Sequence, residues 1–317
     1  MPLLFLAGCS EVNDSFLDPK GPIAAAQKDH FISVFLYSML AAGPVFLLVP
    51  IIFWRYRYKN KNARYTPNWE FSGLLDSLMW GVPVAIIFVL SGQLWHSSKT
   101  LDPYRPIESS QPALEVHVVG LDWKWLFIYP EQGIATIGEL AFPADRPVSL
   151  RLTSDTVMQS FMISSLAGQI YTMPGMKTRQ HIKADNPGVF EGQNTQFNGD
   201  GFATQKFNAV ALTNEDFDAW IATVRADGVP LTDAAYNLLG NRSTKQEVHE
   251  ALGTASMPEN VTYFSSVVAD LYENVVARYH TGEAIAPTEQ PGGEFYLADP
   301  QTPAARVPSA SIQGAQP

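Results

Sequence analysis

One short loop of the sequence combines glycines with amide side chains. It runs from Glu191 to Gln205 and reads EGQNTQFNGDGFATQ. Asparagine and glutamine can each donate and accept hydrogen bonds, and glycine permits turns that bring backbone N–H groups close to a ligand. The Gly-Asp-Gly run inside it lacks the third glycine and the strand-then-helix setting of a nucleotide-binding loop. The loop is therefore either a binding site of another kind or the outline of one.

Other residue types that could do chemistry give weaker signals. The serines lack the flanking glycines of a nucleophile elbow, and no two histidines stand at metal-ligand spacing. His181 lies in a strand of mixed polarity and is predicted to be a surface histidine. Four methionines could offer thioether ligands to copper(I), but without a nearby histidine or cysteine they are better interpreted as packing residues: Met158, Met162, Met173 and Met176.

The composition excludes whole classes of function. The formal net charge is −10, which argues against a nucleic-acid partner because phosphate binding needs a basic face. Hydrophobic residues make up 46% of the 317 residues and charged residues only 16%, which predicts that part of the chain lies in a membrane. A single cysteine, Cys9, excludes internal disulfides and thiolate clusters.

That cysteine ends the run Leu6-Ala7-Gly8-Cys9, which resembles the lipobox of bacterial lipoproteins. We therefore predict a lipoprotein-type signal segment over 1–30 and acylation of Cys9. No lysine or arginine precedes the apolar start, which departs from the usual signal pattern. The alternative is an incidental stretch of small residues.

Two apolar runs predict membrane-spanning helices within 31–98. The first, 31–54, has no charge, and the second, 74–95, carries only Asp76 near its start. Each is long enough to cross the hydrocarbon core of a bilayer, which disfavours two buried helices of a soluble protein. The prolines inside them are expected to be tolerated as kinks.

Basic residues accumulate between the two runs, at Arg55, Arg57, Lys59, Lys61 and Arg64. By the positive-inside rule this loop is predicted to be cytoplasmic. Both chain termini then lie on the opposite, periplasmic side of a bacterial inner membrane.

After the second apolar run, the pattern of apolar and polar residues changes twice. Residues alternate between apolar and polar over 108–213, which predicts a small β-sandwich or barrel. From Asn214, an expected helix cap, the pattern over 214–282 turns helical and aromatic-rich, including a second predicted helix from Phe264 to Tyr279. The tail, 283–317, is predicted to be disordered because it has too little apolar material to fold.

Two segments carry a resemblance to a known family. They are Gly120 to Tyr129, GLDWKWLFIY, and Asn186 to Gln193, NPGVFEGQ. Together with the two spans, the basic loop and the β-domain, they resemble subunit II of the haem-copper terminal oxidases, from the lipobox to about residue 280. The resemblance implies a membrane-anchored α+β protein: a two-helix transmembrane hairpin, a periplasmic cupredoxin-like β-sandwich or barrel, and a C-terminal helical extension.

In the cytochrome c oxidase branch of that family, cysteine, histidine and methionine side chains of this domain hold a dinuclear copper centre. The resemblance places their positions in this chain on Gln159, Asn194, Asn198, Phe202 and Gln205. Amides and a phenyl ring cannot replace thiolates and imidazoles as copper ligands. The nearby tryptophans of the Asp-Trp-Lys-Trp run, which in that branch lie near electron entry, are then interpreted as packing residues.

Loss of all these ligands resembles the ubiquinol oxidase branch, the cytochrome bo-type enzymes. That branch implies a non-catalytic subunit of a proton-pumping oxidase, with no cofactor on this chain and with haems and copper in subunit I. It further implies subunits III and IV and membrane lipid as partners, and ubiquinol as the substrate of the complex. Asp76 matches the position of an acidic residue at a proton-pathway entrance, although a helix-capping role suits it equally well.

Two rival interpretations remain open from the sequence. One is a copper-bearing subunit II of a cytochrome c oxidase. The other is a free-standing membrane lipoprotein that binds a ligand or assists assembly.

Overall fold

The computed structural model describes residues 15–63, 67–68, 70–254, 257–258 and 260–282. The predictions for Cys9 and for the tail 283–317 lie outside these residues, as does Arg64 of the basic loop. The chain divides into two compact units. One is the stretch Ala26–Asp102, and the other combines, among the described residues, 15–25 with those from 103 onward.

Two long helices form the first unit, and each contains a predicted span. Helix α1 is Pro22–Arg55 and helix α2 is Gly73–Thr100, with mean hydropathies of 2.1 and 2.0 in their most apolar windows. None of either window is buried within the chain, so the apolar side chains face outward, as those of a membrane hairpin must. Both helices extend beyond the apolar runs, since α1 begins at Pro22 and α2 continues to Thr100. Polar residues near a span end can continue the same backbone hydrogen bonding.

Twelve strands of the described residues form two sheets that pack face to face. In chain order the strands are β1 Leu114–Leu121, β2 Lys124–Tyr129, β3 Ile134–Ile137, β4 Glu139–Pro143, β5 Val148–Ser154, β6 Gln159–Ile163, β7 Ala167–Thr172, β8 Thr178–Ile182, β9 Gly188–Asn194, β10 Lys206–Leu212, β11 Val229–Leu231 and β12 Thr262–Val267. One sheet has the order β11-β12-β3-β2-β1-β5-β8 and the other β4-β10-β9-β6-β7. The predicted β-sandwich is confirmed.

Aromatic side chains fill the space between the sheets. Trp125 and Phe161 meet edge to face with centroids 5.2 Å apart, and Phe161 stacks on Phe207 at the same distance. Phe207 lies so close to Gly192 that a Cβ there would come within 2.0 Å of its ring. Gly192, near the start of the Glu191–Gln205 loop, is thus required by the packing of the core below it.

The C-terminal segment is only partly helical. Its helices are α3 Asn214–Asp227, α4 Asp233–Gly240, α5 Lys245–Ala251 and α6 Leu271–Ala277. The prediction of one helix beginning at Phe264 is wrong, because Phe264 lies in β12, which pairs with the otherwise open edge of β3. The cap of α3 is also one residue earlier than predicted: the Thr213 hydroxyl, not Asn214, accepts from the backbone N–H of Asp216 at 3.1 Å.

This segment gives the seven-stranded sheet a second buried face. Alternate residues of β1 and β2 point away from the sandwich and pack against Tyr236, Leu239, Phe264, Tyr272 and Val275. A sheet that is covered on both sides must read as apolar at successive positions. The completely buried pattern of β2 shows this.

A buried carboxylate joins the segment to the sandwich. Asp155, completely buried after β5, accepts hydrogen bonds from the hydroxyls of Tyr236 at 2.8 Å and Tyr279 at 2.9 Å. Its Oδ2 also lies 3.1 Å from Nη1 of Arg278, which is itself buried. Burial raises the pKa of Asp155 to about 6, against the opposing effect of the Arg278 cation.

Replacing Asp155 with asparagine should leave the Arg278 cation buried without a counter-charge. We expect the free energy of unfolding to fall by about 3–5 kcal/mol, measured by urea denaturation of the purified chain in detergent. Asp218→Asn, on the exposed side of α3, is the matched control and should change it by less than about 0.5 kcal/mol.

The same variant tests the protonation of this carboxyl. The folded-state pKa of about 6 exceeds the ordinary value of 3.8, so the folded state binds this proton more tightly. Its contribution to stability is fully present below the ordinary pKa and is lost as pH rises through about 6. Asp155→Asn should lack this component between pH 4 and 6. Parallel stability profiles for the two proteins would contradict a raised pKa.

Candidate functional site

Four of the five predicted ligand positions meet at one end of the sandwich. Gln159 begins β6, Asn194 ends β9, Asn198 lies in the following loop, and Gln205 directly precedes β10. Gln159, Asn194 and Gln205 are at most 4% exposed. The strand ends bring side chains that are far apart in sequence into a single polar cluster.

Gln205 is the centre of this amide cluster. Its Nε2 donates to Oε1 of Gln159 at 2.6 Å, and its Oε1 accepts from Nδ2 of Asn194 at 3.0 Å and of Asn198 at 2.8 Å. Nε2 also lies 3.3 Å from the carbonyl oxygens of Leu121 and Lys124. One carboxamide therefore connects the β1–β2 turn, β6 and the loop after β9.

Asn194 and Gln159 extend the network to the backbone. Oδ1 of Asn194 accepts from the N–H groups of Ser160 at 2.9 Å and Gln196 at 3.0 Å. Nε2 of Gln159 donates to the Leu121 carbonyl at 3.0 Å. Gln159, Asn194 and Gln205 thus bond to one another and to the loop, whereas Oδ1 of Asn198 is buried without a partner among the described residues.

The fifth position, Phe202, is not part of the cluster. It lies in a short 3-10 helix, half-buried, with its ring 5.7 Å from that of the exposed Phe197. Trp123 covers the loop from the other side, donating its indole N–H to the Asn198 carbonyl at 3.2 Å. A Cβ on Gly201 would come within 2.1 Å of that indole, which explains the second glycine of the Gly-Asp-Gly run. Trp123 itself adopts a left-handed φ of 68°.

This donor set does not fit a copper ion. The cluster offers neutral carboxamides whose oxygens and N–H groups bond to each other, whereas copper sites use thiolate, thioether and imidazole ligands. Within the described ranges, no group of three or more histidine, cysteine, aspartate or glutamate side chains could hold a metal ion.

A buried lysine beside the cluster was not predicted. The ammonium of Lys124, in a residue only 2% exposed, donates to the carbonyls of Asp122, Asn241 and Ser243, each at 2.9 Å. Burial lowers its pKa to about 7, and the Asp122 carboxylate opposes that shift. A lysine between two tryptophans in an apolar strand was the available sequence signal.

The remaining predicted positions lie elsewhere. Asp76 is exposed in the first turn of α2, in the other unit of the chain. The prediction that His181 is a surface residue is wrong. His181 is 7% exposed, and neither ring nitrogen has a hydrogen-bond partner among the described residues. Burial, together with the charge of Arg179, lowers its pKa.

Curated proteins similar to this chain share one description. Cytochrome bo(3) ubiquinol oxidase subunit 2 of Pseudomonas putida is 39% identical, over 93% of this chain and 89% of that protein. Ubiquinol oxidase subunit 2 of Acetobacter aceti is 37% identical, over 88% and 86%. The chain belongs to the ubiquinol oxidase subunit 2 family. Quinol oxidase subunit 2 of Bacillus subtilis (strain 168) is 35% identical, over 74% and 73%.

Family models and solved structures add less than the related sequences do. No protein-family model matches the chain. Among solved structures, the periplasmic domain of subunit II of cytochrome oxidase of Bradyrhizobium japonicum is 20% identical, with a TM-score of 0.35, over 36% of this chain and 96% of that one.

Membership of the ubiquinol oxidase subunit 2 family confirms the resemblance that the sequence showed. Two apolar helices followed by a two-sheet sandwich also confirm the predicted architecture, a membrane-anchored hairpin with a cupredoxin-like domain and C-terminal helices.

Replacing Gln205 with leucine should leave the Nδ2 groups of Asn194 and Asn198 without their shared acceptor. We expect a loss of about 1–3 kcal/mol for each group left buried and unpaired, and faster hydrogen exchange of the backbone amides over 194–205. Gln193→Leu, in β9 next to Asn194 but outside the cluster, is the control. Equal exchange in both variants would show that the cluster does not hold the loop.

Replacing Lys124 with methionine keeps the aliphatic length but removes the donor to the Asn241 and Ser243 carbonyls. Loss of about 1–2 kcal/mol of local stability corresponds to roughly 5–30-fold faster hydrogen exchange in the turn between α4 and α5. Lys206→Met, whose ammonium pairs with Glu191 at the surface, should leave that turn unchanged. A turn that is insensitive to Lys124→Met would contradict an anchoring role.

Proposed function

We propose that the chain is a non-catalytic subunit of a proton-pumping ubiquinol oxidase and carries no copper centre of its own. The observation that supports this most directly is the amide cluster, since Gln159, Asn194, Asn198 and Gln205 bond to each other where copper ligands would otherwise stand. The names of its relatives add that such chains serve quinol-oxidising enzymes. In this proposal, no metal centre on this chain accepts electrons.

The haems and copper of the reaction belong to subunit I in this proposal. There ubiquinol is oxidised and oxygen is reduced to water, while protons cross the membrane. The outward-facing side chains of α1 and α2 give subunit I and membrane lipid an apolar surface to contact, and subunits III and IV complete the assembly. The basic loop faces the cytoplasm, and both termini face the periplasm of the inner membrane.

Purification of tagged protein in mild detergent tests this assignment. We expect a large haem-containing subunit to co-purify and the preparation to oxidise ubiquinol. A haem-free preparation would instead favour a free-standing lipoprotein. If the complex oxidised cytochrome c, and if its copper content and spin resonance revealed a dinuclear centre on this chain, the copper-bearing alternative would replace ours.

Acylation of Cys9 is part of the proposal and has its own measurement. Mass spectrometry of the mature N-terminus should show a lipid-modified cysteine as the first residue. An N-terminus that retains the preceding Leu-Ala-Gly run would exclude this modification.

Asp76 is the proposed proton-inlet residue of this chain. It lies exposed in the first turn of α2, next to the basic loop and therefore at the expected cytoplasmic end of the span. Asp76 is the acidic residue in the first turn of α2, and the side chain of Ser72 at the N-cap position makes no capping hydrogen bond. An ionisable side chain at a membrane edge is a functional candidate because its desolvation is costly.

Asp76→Asn should slow proton uptake and pumping severalfold while leaving assembly unchanged. The measurement is proton uptake by the complex in vesicles during ubiquinol oxidation, alongside haem content as a test of assembly. Glu70→Gln, an exposed acid before the same helix, is the matched control. Unchanged turnover and pumping in Asp76→Asn would return Asp76 to a structural role at the helix start.

A further inference from the structure

A cavity of about 420 Å³ lies between α1 and α2, at the end of the hairpin opposite the basic loop. Helix α1 contributes Ala26 and His30, and the last turns of α2 contribute the rest of the lining: Gly92, Gln93, His96, Ser97, Thr100 and Leu101. This volume falls in the range of small-molecule sites, which are mostly apolar with a few convergent polar groups.

The polar groups of this cavity can both donate and accept. Nε2 of His30 lies 3.5 Å from the Ser97 hydroxyl, so the ring and the hydroxyl form a weak pair whose direction depends on the tautomer. Oε1 of Gln93 is buried and has no hydrogen-bond partner among the described residues. Whichever way the amide is turned, the cavity holds a buried polar atom that lacks a partner.

The position of the cavity limits what can enter. It lies beside the apolar surface of two helices whose side chains face outward, so a molecule dissolved in the bilayer can reach it. With the Gln93 amide oriented as described, its buried oxygen needs a hydrogen-bond donor, and a phosphodiester group offers only acceptors. A hydroquinone has two hydroxyls that each donate and accept, a flat ring for the apolar walls, and a hydrocarbon tail that can remain in the lipid.

We propose that this cavity binds the headgroup of a membrane quinol, with one hydroxyl on Gln93 and the other facing His30. This inference rests on the proposed function only in that the complex works with a quinol. The role is binding, and no electron or proton transfer is assigned to the cavity residues. The site would keep a quinol molecule associated with the subunit.

Two variants test the proposal in different ways. Gln93→Leu removes the hydrogen-bonding group. Gly92→Leu fills the cavity and keeps every polar group, and a Cβ at Gly92 meets no atom within 4 Å, so the helix accommodates it. Gln27→Leu changes a glutamine of the same hairpin that does not line the cavity, and serves as the control.

The measurements use the whole complex purified in mild detergent. Extraction and mass spectrometry give the quinone retained per complex, and equilibrium dialysis with ubiquinone-1 gives its affinity. We expect Gln93→Leu and Gly92→Leu to retain less quinone and to bind ubiquinone-1 about tenfold more weakly at one site, while Gln27→Leu matches the wild type. Haem content monitors assembly.

Unchanged quinone content and affinity in both variants would overturn the inference. So would a phospholipid retained by the wild type and lost from Gly92→Leu with quinone unaffected. These results differ from failure of the proposed function, in which the wild-type complex itself would not oxidise ubiquinol.

Discussion

The carboxamide of Gln205 is the interaction on which one whole end of the β-domain depends. It bonds to Gln159, Asn194 and Asn198 and approaches the backbone of the β1–β2 turn. These segments come from distant parts of the chain, and they carry buried polar groups that water does not reach. A neutral amide suits this position because it donates and accepts at once, so a single side chain can satisfy several neighbours. Here hydrogen bonds make the connection.

The C-terminal segment is held by two buried charges near that end. The ammonium of Lys124 is surrounded by carbonyl oxygens of the turn between α4 and α5, and the carboxylate of Asp155 receives two tyrosine hydroxyls and the Arg278 cation. Burial acts on both groups in the expected directions, lowering the pKa of the lysine and raising that of the aspartate. The segment also supplies β12, which pairs with β3, so that the short β11 becomes the edge strand of the sheet. It is therefore an integral part of the domain.

The two units of the chain meet different solvents and follow different rules. The hairpin exposes its apolar side chains, whereas the sandwich buries its apolar side chains and bonds many of its buried polar groups to one another. Both units also keep buried polar atoms without a partner among the described residues, such as Oε1 of Gln93 in the hairpin and the ring nitrogens of His181 in the β-domain.

The sequence by itself determined the features that depend on local pattern and length. Both long apolar helices, the alternating strands and the family follow from residue types and spacing, and the sequence also places amides at Gln159, Asn194, Asn198 and Gln205. Only the tertiary structure decided that these amides bond to each other while Phe202 lies apart, because contacts between strand ends depend on sheet pairing. It also decided that Phe264 forms a strand and that His181 and Lys124 are buried. Whether a sheet edge is free and whether a surface is covered depend on segments that are distant in sequence. A local stretch of sequence therefore cannot predict them.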